Sequence, residues 1–492
     1  MSDPATSSFA SRVRSAVLWR SGSQVATQIV SWASTLIVIR LLTPQDYGLV
    51  AMAGVVLVLL NTMNGYGLAS ALIREAEVTE QRLRQTLGML ILMNGALALV
   101  QFVAAPLVAS YFRQPLVADI LRVQSLLYLT VPFCALPYAI LSRRMDFRLQ
   151  AQVRLLAALA GAATALAMAM GGFGVWTLVA APIAMFTTEG IGMMIAARAP
   201  WRPSFRFAGA GHIAGFGGVM TITQLFWFIQ SQADVMIAGR VLDPHLLGVY
   251  TTALFLAQLL AAKFVPPINE VAYAAYSRQE RQGPGPVLAT IRLLLLIALP
   301  FYAGMAAVAP PLVAVLLGEQ WLEVAPILPI LALAMSLMTL QILFSPATNA
   351  LGEPKVAMRL SMLGALVMPG AFLVGSHFGI AGFAWGWVGG MALLTTITAV
   401  YSCRVLGIGL RALAAAIGPL VLAAALMGGS VHLLRGLLPP MPAFAELLLL
   451  VPLGMALYAA ALVAIAPERL IEALRFARNR GGESGPAANS AA

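Results

Sequence analysis

About fourteen runs of apolar residues, each long enough to cross a bilayer as a helix, follow one another along this chain. They fall near 23–40, 48–68, 86–110, 120–141, 153–171 and 174–197, and then near 214–239, 246–272, 288–317, 325–350, 357–376 and 381–402. Two more lie near 412–432 and 444–466. In hydrocarbon every N–H and C=O must be paired within the protein, so runs of this length fold as helices. An outer-membrane barrel would alternate over segments of about ten residues instead. Residues 155–188 carry no charge, yet GGFG at 171–174 supplies a turn that divides them into two helices. Only 10% of the residues are charged, against about 25% in a soluble domain. The chain is expected to be an all-α polytopic membrane protein.

The formal net charge of +11 would suit nucleic acid if it were spread over one soluble face. The topology distributes it differently. Arg12, Arg14, Arg82, Arg84, Arg143, Arg144, Arg148, Arg198, Arg202, Arg278, Arg404, Arg411 and Arg475 all fall on one side, while Arg40, Arg113, Arg240 and Arg435 fall on the other. That is the positive-inside bias, and it places both termini in the cytoplasm with no nucleic-acid partner. Phe9, Val13 and Val17 lie at helical spacing in a polar, arginine-bearing start, read as an amphipathic lead-in on the inner surface. The first apolar run lacks a convincing cleavage site and is read as a retained helix. Cys134 and Cys403 have no metal spacing and read as buried small apolar residues. Residues 467–492, ending in GGESGPAANSAA, read as a flexible cytoplasmic tail.

The chain also repeats itself. RLLTPQDYGLV at 40–50 returns as RVLDPHLLGVY at 240–250, with Arg40, Leu42, Pro44 and Gly48 in register with Arg240, Leu242, Pro244 and Gly248. Gln24 and Ser31 share that offset with Gln224 and Ser231, and Pro106-Leu-Val-Ala and Phe173-Gly return 205 positions later at Pro311 and Phe378. Two lobes of six helices follow, residues 1–205 and 206–410, with two further spanning helices in 411–466. An even helix count keeps both copies in the same sense, as in parallel-repeat transporters whose halves enclose a central cavity.

The first span of each lobe is unusually polar. Gln24, Thr27, Gln28, Ser31 and Thr35 share one helical face, and the seventh span carries Thr223, Gln224, Trp227, Gln230, Ser231, Gln232 and Asp234. Such groups face a partner helix or water, so interhelical hydrogen bonds and a shared aqueous cavity both account for them. The second span of each lobe is interrupted at equivalent points, by NTMNGYG at 61–67 and by Pro266-Pro267 in KFVPPINE. Interrupted helices in corresponding positions mark a transporter's central site, and packing kinks would look the same.

The polar first helix, RLLTPQDYGLVAM, the segment NTMNGYGLASALIRE and the loop SRRMDFRLQAQVR at 142–154 together resemble the polysaccharide exporters of Wzx type. These belong to the multidrug/oligosaccharidyl-lipid/polysaccharide superfamily, and the resemblance covers nearly the whole chain. It implies an inner-membrane flippase for undecaprenyl-diphosphate-linked oligosaccharide, feeding lipopolysaccharide, capsule or exopolysaccharide synthesis. It also implies a cavity lined by helices 1, 2, 7 and 8, no cofactor, and an H+ or Na+ ion to drive the cycle. Besides the cargo and membrane lipids, a polysaccharide polymerase and chain-length machinery are the partners of such a pathway.

For such a cargo the cationic candidates are Lys263, Arg40 and Arg240. Lys263 suits phosphate binding, pairing with Asp234 or Glu270, or snorkelling. Arg40 and Arg240 suit diphosphate contact or simple neutralisation of helix C-terminal carbonyls. Gln24, Gln28, Asn61, Asn64, Gln224 and Trp227 are candidate sugar contacts, and Asp234, Glu189 and Glu270 are candidate coupling carboxylates. Asp119 and Arg122 read as an i,i+3 pair, and Gly382, Gly386 and Gly390 read as close helix packing. No P-loop is present and His212, His245, His377 and His432 are scattered, so an enzyme is not expected. The closer alternative is an ion-coupled multidrug or organic-cation exporter of the same superfamily, although residues 21–42 lack the acid such exporters carry in their first helix.

Overall fold

The computed structural model describes residues 4–61, 72, 78–205, 218–278, 285–350 and 354–467, and among them there are helices and no strands. It divides into two compact units with the boundary after Thr251. The first contains α1 (Pro4–Leu41), α2 (Pro44–Asn61), α3 (Glu80–Phe112), α4 (Leu116–Gln124), α5 (Leu126–Arg143), α6 (Phe147–Met170), α7 (Val175–Ala197) and α8 (Gly218–Val241). The boundary falls inside α9 (Pro244–Arg278). The second unit continues with α10 (Gly285–Ala307), α11 (Ala309–Leu316), a 3-10 turn (Glu319–Val324), α12 (Leu328–Ile342) and α13 (Ser345–Ala350). After these come α14 (Pro354–Gly375), a 3-10 turn (Ser376–Phe378), α15 (Gly379–Leu406), α16 (Leu410–Leu437) and α17 (Ala443–Ile465).

Twelve segments of described residues are long and apolar enough to span a membrane. The expected number was about fourteen. One of the twelve, Met358–Leu406, includes most of α14 and all of α15, and α8, laden with Gln224, Gln230, Gln232 and Asp234, is not among them. The lead-in and the first span share one helix, residues 4–41, and the segment apolar enough to cross a membrane begins at Gln24. Gly22 is the sole glycine in residues 4–41, and it is tolerated inside the helix.

In the first unit α6 packs along both α1 and α7, while α5 packs along α3 and α7. Leu87, Leu90, Ala135, Leu136, Met193 and Met194 form its buried core toward the arginine-rich end. Backbone carbonyls that the helix ends leave over are taken by side chains. Arg144 donates to the Ala197 carbonyl at 3.0 Å, and Gln101 to that of Leu121 at 2.8 Å. The GGFG turn forms as expected, with Gly172 and Gly174 at φ of +74° and +52°, a region that only glycine enters without strain. In the second unit α10 packs against α12 and α16, α15 against α12 and α14, and α16 against α17. Its core holds Ile291, Leu295, Phe344, Leu420, Ala423 and Leu450.

The repeats diverge at one quoted match. Pro106 lies inside α3, whereas Pro311 lies in a separate short helix. The preceding Pro310 explains this, because a second proline favours the first turn of a new helix over an interior. Cys134 and Cys403 are buried free thiols, and Arg122 donates to Asp119 at 3.2 Å.

Candidate functional site

The repeated turn is built the same way twice. Leu42 N–H closes α1 on the Val38 carbonyl at 3.0 Å, and Leu242 N–H closes α8 on that of Ala238 at 2.7 Å. Pro44 and Pro244 then open α2 and α9, where a missing N–H costs nothing. Four residues on, Gly48 and Gly248 are buried against each other's turn. A Cβ on Gly48 would lie closer than 3.0 Å to the Pro244 carbonyl, and one on Gly248 closer than 3.0 Å to the Pro44 carbonyl. Each would also lie 3.0 Å from the other glycine's nitrogen. The contact is reciprocal, a local two-fold in which residues 44–48 and 244–248 meet backbone to backbone. Only glycine permits that approach.

Arg240 reinforces the seam. Its guanidinium donates to the Tyr111 carbonyl and lies 5.6 Å from the centre of the Tyr111 ring, while the Tyr111 hydroxyl donates back to the Met236 carbonyl at 3.2 Å. Gly239 beside it faces the Phe112 ring, so the ends of α3 and α8 are clasped. Arg40, at the equivalent register, is exposed.

Two turns before Arg240, Asp234 is fully buried and accepts a 2.8 Å hydrogen bond from the Tyr250 hydroxyl, itself fully buried. The equivalent positions of the first repeat are Ser34, also buried, and Val50. Glu189 has a different partner. Its carboxylate meets the Arg154 guanidinium at 3.3 Å, and Arg154 lies over the Tyr138 ring at 5.3 Å. Asp234 and Glu189 therefore belong to separate constellations.

The amide candidates are spread along the helices. Gln24 and Gln224 are exposed, Gln28 is half-buried and Trp227 is 50% exposed. Asn61 is exposed at the last residue of α2, and Asn64 lies outside the described residues. Lys263 and Glu270 lie on α9, with side chains outside the described set. Among the described residues no three His, Cys, Asp or Glu side chains gather as a metal site would need. Sequence reasoning missed Tyr111 and Tyr250. Both partner residues that were singled out, but Tyr111 lies outside the repeated segment, and Tyr250, the last residue of RVLDPHLLGVY, stands opposite Val50 and so is not one of the matched positions. Among the described residues the arrangement offers hydrogen-bond donors and acceptors and paired charges.

A family model described as polysaccharide biosynthesis protein matches residues 37–326. The succinoglycan biosynthesis transport protein ExoT of Rhizobium meliloti (strain 1021) is 27% identical over 366 residues, 73% of each chain. The lipopolysaccharide biosynthesis protein WzxC of Escherichia coli (strain K12) is 20% identical over 321 residues, covering 63% of this chain and 64% of its own length. Among solved structures, the lipid II flippase MurJ in an inward closed conformation superposes with a TM-score of 0.72 at 13% identity. That match covers 92% of this chain and all of the other, and it establishes a shared fold.

Proposed function

The chain belongs to the polysaccharide biosynthesis protein family, and from that premise we propose that it is a Wzx-type flippase for polyprenyl-diphosphate-linked oligosaccharide. It moves repeat units between membrane leaflets for polymer assembly outside the cell. The observation that carries the mechanism is the reciprocal seam at Gly48 and Gly248. A flippase must part its repeats at one membrane face while holding them at the other. A seam made of backbone atoms and one arginine–tyrosine clasp is tight when closed, and that clasp is the side-chain contact to undo when it opens.

On this reading the membrane is an inner one, and the arginine bias supports an orientation with both termini cytoplasmic and the seam at the outer face. Breaking it exposes the site outward. Lys263, Arg40 and Arg240 serve the diphosphate in this reading, as cations do for any anionic head, while Gln24, Gln28, Asn61, Asn64, Gln224 and Trp227 serve the sugars. Asp234 is the first choice for a coupling H+ or Na+, because it is a buried carboxylate seven residues from the seam helix's end with one hydroxyl donor already in place. Glu270 and Glu189 follow it, the latter already engaged by Arg154. A polymerase and chain-length proteins would receive the product.

Deleting the gene tests the reading. The expected result is loss of surface polymer with lipid-linked repeat units held in the cytoplasmic leaflet, restored by the intact gene. Normal polymer together with new sensitivity to cationic drugs would replace this reading with the multidrug alternative.

A further inference from the structure

Each compact unit carries an apolar crease between neighbouring helices, and the two creases are equivalent in the repeat. One runs between α6 and α7 past Ala180, Ala184 and Thr188; the other runs between α14 and α15 past Trp385, Gly389 and Leu393, each 205 positions later. At the arginine-rich foot of each crease stands one arginine at the same offset, Arg154 and Arg359. Arg154 is neutralised by Glu189. Arg359 is exposed and donates at 2.9 Å to the uncharged Tyr401 hydroxyl, and among the described residues no carboxylate pairs with it. A cation at this depth favours an anionic lipid head.

The second crease, about 690 Å³, is lined by glycines of two kinds. Gly375, Gly382, Gly386 and Gly390 are dictated by packing, since a Cβ on any of them would press on the facing helix or its neighbours. Gly370 and Gly389 are not: a Cβ there meets nothing within 4 Å. Both sit in helix interiors, where glycine costs about 1 kcal/mol against alanine, and both leave notches in the crease wall. The crease is also long. Leu366 and Val374 lie seven and fifteen residues beyond Arg359, roughly 10 and 22 Å along the helix. Half of the hydrocarbon core is only about 15 Å. A fatty acyl chain anchored at Arg359 would end near the midplane, before the crease does, and the far end offers no cation among its lining residues.

We propose that the α14–α15 crease binds the isoprenoid chain of a polyprenyl-phosphate lipid whose phosphate rests on Arg359. This rests on the flippase reading and gives it a tail site distinct from the seam. The test is photolabelling of the purified full chain in phosphatidylcholine nanodiscs, using polyprenyl phosphate with a diazirine in its tail. Label should map to α14 and α15. The double variant Gly370→Leu/Gly389→Leu, which fills open space only, should lower labelling about tenfold, the equivalent of burying a side chain's worth of apolar area. Gly418→Leu, at an equally open glycine on α16, should leave it unchanged. Arg359→Gln should erase the preference for polyprenyl phosphate over uncharged polyprenol, which guards against a double variant that does not fold. Equal labelling by a phosphatidylglycerol probe, or label indifferent to the double variant and to Arg359→Gln, overturns the proposal. If polymer is lost on gene deletion while the crease stays unlabelled, only the tail site falls; polymer that survives deletion removes the flippase reading itself.

Discussion

The two copies of the turn agree where they touch and differ where they do not. At the first, Thr43 caps α2 and Asp46 closes the box: Asp46 accepts from the Thr43 N–H at 3.0 Å and from its hydroxyl at 2.7 Å. At the second, Asp243 caps α9 unaided, accepting from the Leu246 N–H at 2.9 Å. One carboxylate has moved three positions and the cap survives. Proline and glycine have not moved, because each glycine answers to a backbone on the opposite copy. The repeats also diverge in charge. Arg240 is clasped to Tyr111 while Arg40 is exposed, and the buried Asp234–Tyr250 pair stands where the first copy has Ser34 and Val50. Symmetry has been kept at the seam and given up around it.

The sharpest way to break this comparison is to load the seam. Gly48→Val or Gly248→Val should abolish polymer export, and each should cost the closed seam about 3 kcal/mol through overpacking against carbonyl oxygens that cannot yield. Complementation of a deletion strain and thermal unfolding of the purified protein measure both. Wild-type values for either variant would mean that the turns do not meet. Next in size, Arg240→Ala should destabilise by about 2 kcal/mol, the worth of a hydrogen bond from a charged donor, and Arg240→Lys should recover little because an ammonium lacks the planar face that lies over Tyr111.

Asp234→Asn keeps an acceptor for the Tyr250 hydroxyl and removes the charge. It should leave the fold intact and flatten the dependence of flipping on a proton or sodium gradient in proteoliposomes. Gradient dependence that survives would move coupling to Glu270 or Glu189. The smallest effect concerns the caps. Thr43→Ala and Asp243→Ala should each cost about 1 kcal/mol, and giving the first turn the second's chemistry, Thr43→Asp with Asp46→Leu, should change stability by less than about 0.5 kcal/mol.

Much of this was legible before any coordinates. Helix-length apolar runs forced the all-α architecture, GGFG located the α6–α7 turn, and the spacing of Gly382, Gly386 and Gly390 announced the α14–α15 contact. The match between residues 40–50 and 240–250 singled out the seam residues, yet it could not say that the copies face each other. Duplication alone would be satisfied by two turns far apart. Tyr111 was invisible for a related reason: it meets Arg240 across 129 positions, and nothing in a polar stripe or a motif reports which aromatic a distant arginine covers. Glu189 looked like an isolated acid in a span because Arg154 sits on the preceding helix, 35 residues away. Periodicity reveals which face of a helix is polar and is silent about what faces it.

The reciprocity of the seam carries a further consequence. A patch that fits a rotated copy of itself needs no second patch to evolve alongside it. A half-length ancestor bearing P-x-x-x-G at that bend would pair with its own twin, and an even number of membrane crossings would set both twins the same way up. Fusion of two such genes would then only have to tether partners that already recognised each other, and the result would be a homodimer written on one strand.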